Sequence, residues 1–228
     1  MKKFLILPLI ALLGAASVRA NDEHTSRSDL VVRVETCEAI LREFMANPDT
    51  AIPQAVWQRA RGVMILSQFK AGFIFAVKGG YGVLMVKKAD GHWSLPVLID
   101  ASEASLGPQV GAKAVDTVCI LTDDATPRLL FTSRINIGVD AKAVAGPSSA
   151  EVESNATRTF IAPVLVYRRS VGLFAGATVK AGHVQRNDYA NFNLYNTTYT
   201  MPELLYSDWV SPPSEVQPLM SYVQQLAP

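Results

Sequence analysis

Residues able to do acid–base, nucleophilic or metal chemistry are few in this chain, and their spacing does not suit it. There are three histidines, His24, His92 and His183, and two cysteines, Cys37 and Cys119. None stands at the close spacing from which a zinc site is built, so no metal and no cofactor is expected. The sequence has no Gly-x-Ser-x-Gly elbow and no phosphate loop, and Gly79-Gly80-Tyr81-Gly82 lacks the spacing of a dinucleotide fingerprint. Asp90, Asp100, Asp116 and Asp140 fall near strand ends, where carboxylates usually form turns and caps. A hydrolase built on Asp100 and Asp140 is the remote alternative. No catalytic residue is assigned and no enzyme is expected.

The basic residues interleaved with apolar ones are more suggestive. Lys70, Lys78, Lys87 and Lys88 edge the first strand-rich region, Arg168 and Arg169 lie between two apolar runs, and Lys180 ends the second. Lysine acts on a phosphate as a point charge and arginine as a bidentate donor. On that chemistry Lys87, Lys88, Arg168, Arg169 and Lys180 form a candidate site for lipid headgroups. The alternative is a solvated sheet edge, where lysine blocks unwanted strand pairing. Two adjacent strand residues face opposite ways, so Arg168 and Arg169 are expected in a turn.

The elements that must position these residues are legible from periodicity. From Asp29 to Met45 the apolar residues Leu30, Val34, Cys37, Leu41 and Phe44 repeat at helical spacing, and Asn47-Pro48-Asp49 ends the run. Its mixed charges (Asp29, Glu35, Glu38 and Glu43 against Arg27, Arg33 and Arg42) fit a helix packed on a core better than one lying on a membrane. A short helix is expected to start with Pro53 and run through Val56 and Trp57. Strands are then expected at Gly62–Ser67, Phe73–Val77, Tyr81–Lys88, Trp93–Ile99, Val115–Thr122, Arg128–Thr132, Ile161–Tyr167 and Gly172–Val179. Asp90-Gly91 signals a hairpin turn, Ala145 to Ser149 a loop, and Val216 to Leu226 an amphipathic helix.

The N-terminus reads as a leader for export. Lys2 and Lys3 precede the uncharged apolar run Phe4–Ala16, and Ser17-Val18-Arg19-Ala20 supplies a cleavage site. The apolar run falls short of the roughly 20 residues a spanning helix needs. Residues 1–20 are therefore expected to be a signal peptide, 21–28 a flexible tail and 29–228 a single domain. The leader takes three of the 21 basic residues and none of the 20 acidic ones, so a precursor of charge +1 becomes a slightly acidic protein. Nucleic acid is not an expected partner, and any attraction to anionic lipid must be local. Export would bring both cysteines into an oxidising compartment, where they could pair or remain two buried thiols.

Several motifs, in order, resemble the SYLF domain family. They are Ile52-Pro53, Ala60 to Leu66, Lys70-Ala71-Gly72-Phe73, Gly80-Tyr81-Gly82-Val83, Asp90 to Pro96, Gly107 with Gly111, and Asp116. The series continues through Gly138-Val139-Asp140, Ala145-Gly146-Pro147, Tyr167, Gly172 to Gly176, Asn187 with Tyr189, and Leu204-Leu205 in a late helix. Ser148-Ser149-Ala150-Glu151 departs from the family, which often carries a Gly-Arg pair there. The resemblance implies an α/β (α+β) domain with a strongly bent, mostly antiparallel sheet and flanking N- and C-terminal helices. It also implies phospholipid binding without catalysis, with actin regulation in some eukaryotic members. The expected function is an exported, non-enzymatic phospholipid-binding protein of the cell envelope, periplasmic or secreted and peripherally associated with membrane. A scaffold that binds another envelope protein is the alternative, since Tyr189, Phe192, Tyr195, Tyr199 and Tyr206 crowd a segment with no Lys or Arg after Arg186.

Overall fold

The structure, a computed structural model, describes residues 25–132, 134–137, 143–145, 162–176 and 179–228. The leader, Asp140 and the Gly146-Pro147 motif lie outside the described residues. Two strands of 25 residues each, β1 (Gly62–Val86) and β2 (Val97–Leu121), pair antiparallel from Gly62↔Leu121 to Leu84↔Val97. Two further segments, β4 (Val164–Gly176) and β5 (Val179–Arg186), follow one another antiparallel along the other edge of β2. A short β3 (Ala143–Ala145) adds to β4 in parallel, giving a five-stranded, mostly antiparallel sheet.

The result is a long three-stranded ribbon folded back on itself. Lys87 N–H donates to the Arg61 carbonyl (2.9 Å), although 26 positions separate them. A Cβ on Gly82 would stand 2.6 Å from Leu66 Cδ2, and one on Gly80 would stand 2.7 Å from Gln68 Cα. Only glycine lets the two limbs of β1 approach this closely. All three contacts are centred near residue 74, where the β1–β2 register shifts between Phe73 and Phe75. A bulge bends a strand, and here it marks the apex of the fold.

Sequence periodicity divides β1 into three strands at its glycines, whereas the structure runs straight through them. The glycines serve the approach of the limbs and do not end the strand. Asp90-Gly91 does turn, with φ +87° at Gly91 and the Asp90 side chain accepting from His92 N–H at 3.0 Å. Arg128–Thr132, expected as a strand, instead begins in the short helix α3 (Thr126–Leu129), which has Pro127 in its first turn; Asp123 Oδ1 accepts from Ala125 and Thr126 N–H. Proline and a carboxylate at a helix start outweigh the β-propensity of a short apolar run.

Helix α1 (Arg27–Ala46) starts earlier than periodicity indicates, because Ser26 caps it and accepts from Asp29 N–H. Leu30, Val34, Cys37, Ile40, Leu41 and Phe44 form its buried face against the ribbon. Each large side chain so buried contributes about 1.5–3 kcal/mol. Helix α2 (Gln54–Trp57) buries Val56 and Trp57. After β5 come α4 (Asp188–Tyr195), α5 (Met201–Tyr206) and α6 (Gln217–Leu226). Helix α4 is clamped to the ribbon by Asn191, which accepts from Leu98 N–H (2.7 Å) and donates to Leu98 C=O (3.0 Å). Its buried amide thus stands in for a neighbouring strand. Tyr195 O–H donates to the Pro96 carbonyl, and burial pushes that phenol above its ordinary pKa.

Cys37 and Cys119 are separate buried thiols, and Cys37 Sγ donates to the Ile65 carbonyl at 3.7 Å. Among the described residues no helix is long and apolar enough to cross a membrane.

Candidate functional site

The five basic residues read from the sequence do not converge. Lys87 and Lys88 follow β1 and hold the C-terminal part of the chain. Lys87 donates to the Pro228 carbonyl, while Lys88 donates to the Ser207 carbonyl (3.0 Å) and pairs with Asp208. That pairing keeps the Asp208 carboxyl below its ordinary range, chiefly through the Lys88 hydrogen bond.

Arg168 and Arg169 lie inside β4 and not in a turn, opposite Thr117 and Asp116. Alternation sends them to opposite faces, as strand geometry requires. Arg169 donates to Asp116 (2.9 Å), pairs with Glu43 of α1, and rests with Cζ 5.9 Å from the Phe44 ring. The Asp116 bond is the main reason its guanidinium pKa rises further. Arg169 therefore locks α1 onto the ribbon. Arg168 is exposed on the other face. Lys180 sits in β5 opposite Ser105.

The strand-end carboxylates are also occupied by structure. Asp100 accepts from Asn187 Nδ2 at 2.9 Å, Asp116 holds Arg169, and Asp90 closes its turn. Asp140 lies outside the described residues, so the pair imagined for hydrolysis is not on view. Among the described residues no three of His, Cys, Asp and Glu come together as metal ligands.

What the register does bring together is charge around the ribbon apex. Lys70 stands opposite Lys113, Lys78 opposite Glu103, and Lys180 opposite Ser105. Four lysines thus share the central third of the ribbon with one acid. Like charges directly opposed in an antiparallel pair are unfavourable, and Lys70 is only 3% exposed. Beside it Phe69 is 58% exposed, an unusual position for a large apolar side chain in the middle of a strand. Sequence reasoning placed Lys70 and Lys78 at the edge of the first sheet region but left them out of the site. Lys113 went unremarked, because its neighbourhood depends on pairing between segments some forty residues apart.

The same strands carry the family signal. A family model described as "Ysc84: Las17-binding protein actin regulator" matches residues 102–226, more than half of the chain. The chain belongs to the Ysc84 family. This is the SYLF family indicated by the motifs from Ile52 to Leu205. LAS seventeen-binding protein 3 of Saccharomyces cerevisiae is 35% identical over 182 residues, covering 78% of this chain and 39% of that protein. Protein YSC84 of the same yeast is 32% identical over 196 residues, covering 82% of this chain and 42% of its own length. The human SH3 domain-containing YSC84-like protein 1 is 30% identical over 191 residues, covering 81% and 56%. This Ysc84-family chain therefore matches less than two thirds of the length of these relatives, of which the first is named for binding LAS seventeen. No solved structure matches it.

Proposed function

We propose that this chain is an exported, non-enzymatic protein that binds anionic phospholipid surfaces in the cell envelope, periplasmic or secreted and peripherally attached. The observation that carries the reading is the register that brings Lys78, Lys113 and Lys180 to the ribbon apex with Glu103, in a chain of almost no net charge. Basic residues near an anionic leaflet contribute about 1 kcal/mol each, and the attraction fades within a Debye length of about 10 Å at 0.1 M salt. The Lys-Lys start, uncharged apolar run and small-residue cut support export.

Two measurements test it. Mass spectrometry of the protein recovered from cell fractions should give an N-terminus at Asn21 in the envelope or medium; an intact Met1 chain in the cytosol would remove the export part. Co-sedimentation of the chain from Asn21 with phosphatidylglycerol vesicles at low salt should exceed that with phosphatidylcholine vesicles. Equal recovery would remove the electrostatic part.

A protein-binding role is the second reading. It is favoured by two exposed aromatics, Tyr189 (65%) and Trp209 (64%), and by relatives whose names record binding to Las17. Trp209 packs on Tyr199 with ring centroids 5.1 Å apart and planes tilted by 52°, which presents a firm aromatic surface. Cross-linking from a photoreactive residue at position 209 to one envelope protein, in a chain that ignores vesicles, would favour this reading over the first.

A further inference from the structure

We propose that the Phe69 face of the ribbon apex inserts into the headgroup–acyl boundary of an anionic bilayer. This deepens the lipid-binding reading and rests on it.

The inference starts from register. Phe69, Ala71, Phe73, Phe75 and Val77 occupy alternate positions of β1, and the bulge keeps them on one face because it steps two residues along β1 and four along β2. Every partner of these five, in β2 and onward in β4 or β5, is alanine, valine or leucine. Five successive cross-strand rows therefore contain no polar residue. They are bounded by polar rows on both sides, Ser67–Asp116–Arg169 and Gly79–Ser102–His183. The alternate positions, by contrast, hold Lys70, Lys78, Lys113, Lys180 and Glu103.

Among the described side chains, cover ends at the first apolar row. Helix α1 reaches the ribbon's Asp116–Arg169 row through Glu43. One row further on, Phe69 is 58% exposed, and its partner Ala114 is exposed too. The close limb-to-limb approach is made at the even positions Gly80 and Gly82, so the odd positions belong to the convex side of the fold. At about 3.3 Å per residue this apolar face runs about 16 Å back from residue 74 to Phe69 and about 10 Å to Val77, which spans the insertion depth of about 5–10 Å past the headgroups.

Charge and hydrogen bonding select a bilayer as the occupant. Within these five rows β2 is paired along both edges, and only residues 107–109 between them leave one or both ladders. The face itself offers no side-chain hydrogen bond, whereas a protein partner uses several for specificity. Lys78, Lys113 and Lys180 lie on the ribbon's other face but each within one residue of an apolar row, which brings positive charge to the edge of the inserted face.

The test uses tryptophan as a depth reporter. Trp57 and Trp93 are buried (0% and 4% exposed), and Trp209 is the exposed one. In a Trp209→Phe background, the emission of a Phe69→Trp variant should shift to shorter wavelength on phosphatidylglycerol vesicles and be quenched at least twofold by dibrominated acyl chains. Phe69→Asp, at an exposed position and with unchanged circular dichroism, should lower the vesicle partition coefficient tenfold or more. If the protein co-sediments with vesicles while the Phe69→Trp reporter is not quenched and Phe69→Asp binds normally, the chain uses another surface. The insertion is then wrong and the lipid-binding reading stands. If the parent chain ignores vesicles altogether, the lipid-binding reading fails and insertion with it. A vesicle-independent dimer abolished by Phe69→Asp would likewise overturn insertion, by giving the face to a second copy of the chain.

Discussion

Gly82 lies against the Ile65 carbonyl so closely that a Cβ there would overlap the oxygen and press Leu66 Cδ2 at 2.6 Å. This contact between two positions of one strand folds the ribbon and raises its apex. Gly82→Ala and Gly80→Ala should each lower stability by about 1–3 kcal/mol or more, the range for forced overpacking. Gly79 has nothing within 4 Å of its would-be Cβ, so Gly79→Ala should be neutral or slightly stabilising. Urea unfolding of the three variants checks the contrast; equal losses at all three would mean that the limbs do not meet here.

Asn191 supplies both hydrogen bonds that a neighbouring strand would give Leu98. Asn191→Ala strands the buried Leu98 N–H and leaves the Leu98 carbonyl only the Asn187 N–H at 3.4 Å. The expected cost is about 1–3 kcal/mol, with α4 losing amide-exchange protection before the ribbon does. A variant as stable as the parent would contradict the clamp.

Burial pushes the Cys37 thiol up to about 12 from an ordinary 9.0. Its folded-state pKa is raised, so its contribution to stability is fully present below pH 9.0 and lost as pH rises from there toward 12. Ellman's reagent at neutral pH should find no fast thiol in the native protein and both Cys37 and Cys119 after unfolding. A rapid native reaction at Cys37 would contradict the packing of α1.

Three carboxylates in the C-terminal third are held low. Glu215 drops to about 2 from 4.5, first through its Arg27 hydrogen bond. Glu203 is lowered by the Thr200 N–H of its capping box, and Asp208 by Lys88. Depressed pKa values give stability that is present above the ordinary value and lost as pH falls through the folded one. Melting temperature should therefore fall below pH 4.5 and continue falling toward about 2. Arg27→Met should flatten part of that slope; an unchanged acid profile would show that the Arg27–Glu215 pair does not act in solution.

The local elements were largely legible in the sequence. The buried face of α1, the Asp90-Gly91 turn and the late helix near Leu219 and Val223 follow from spacing and turn chemistry alone. The bent antiparallel sheet came from the resemblance. Hidden from view was everything set by non-local pairing. Runs expected as separate strands proved to be the single strand β1, whose Gly80 and Gly82 are contact points between limbs, and Arg169, expected at a headgroup site, pairs with Glu43 and Asp116. Helix α4 was missed because Asn191 and Asn193 break its apolar pattern, and the buried role of Asn191 is visible only beside Leu98. The apolar apex face was missed for the same reason: its rows join three segments far apart in sequence.

The most direct test of a local, lysine-driven lipid contact is a charge-neutralisation series on phosphatidylglycerol vesicles at low salt. Lys78→Gln, Lys113→Gln and Lys180→Gln should each weaken partitioning about fivefold, and the triple variant more than about fiftyfold, from about 1 kcal/mol per lysine. Arg128→Gln, which removes an exposed cation stacked 5.6 Å from the Tyr206 ring, should change little. A triple variant that binds as the parent does, or an Arg128→Gln that weakens binding as much as the lysine changes, would contradict the ribbon apex as the lipid-facing site.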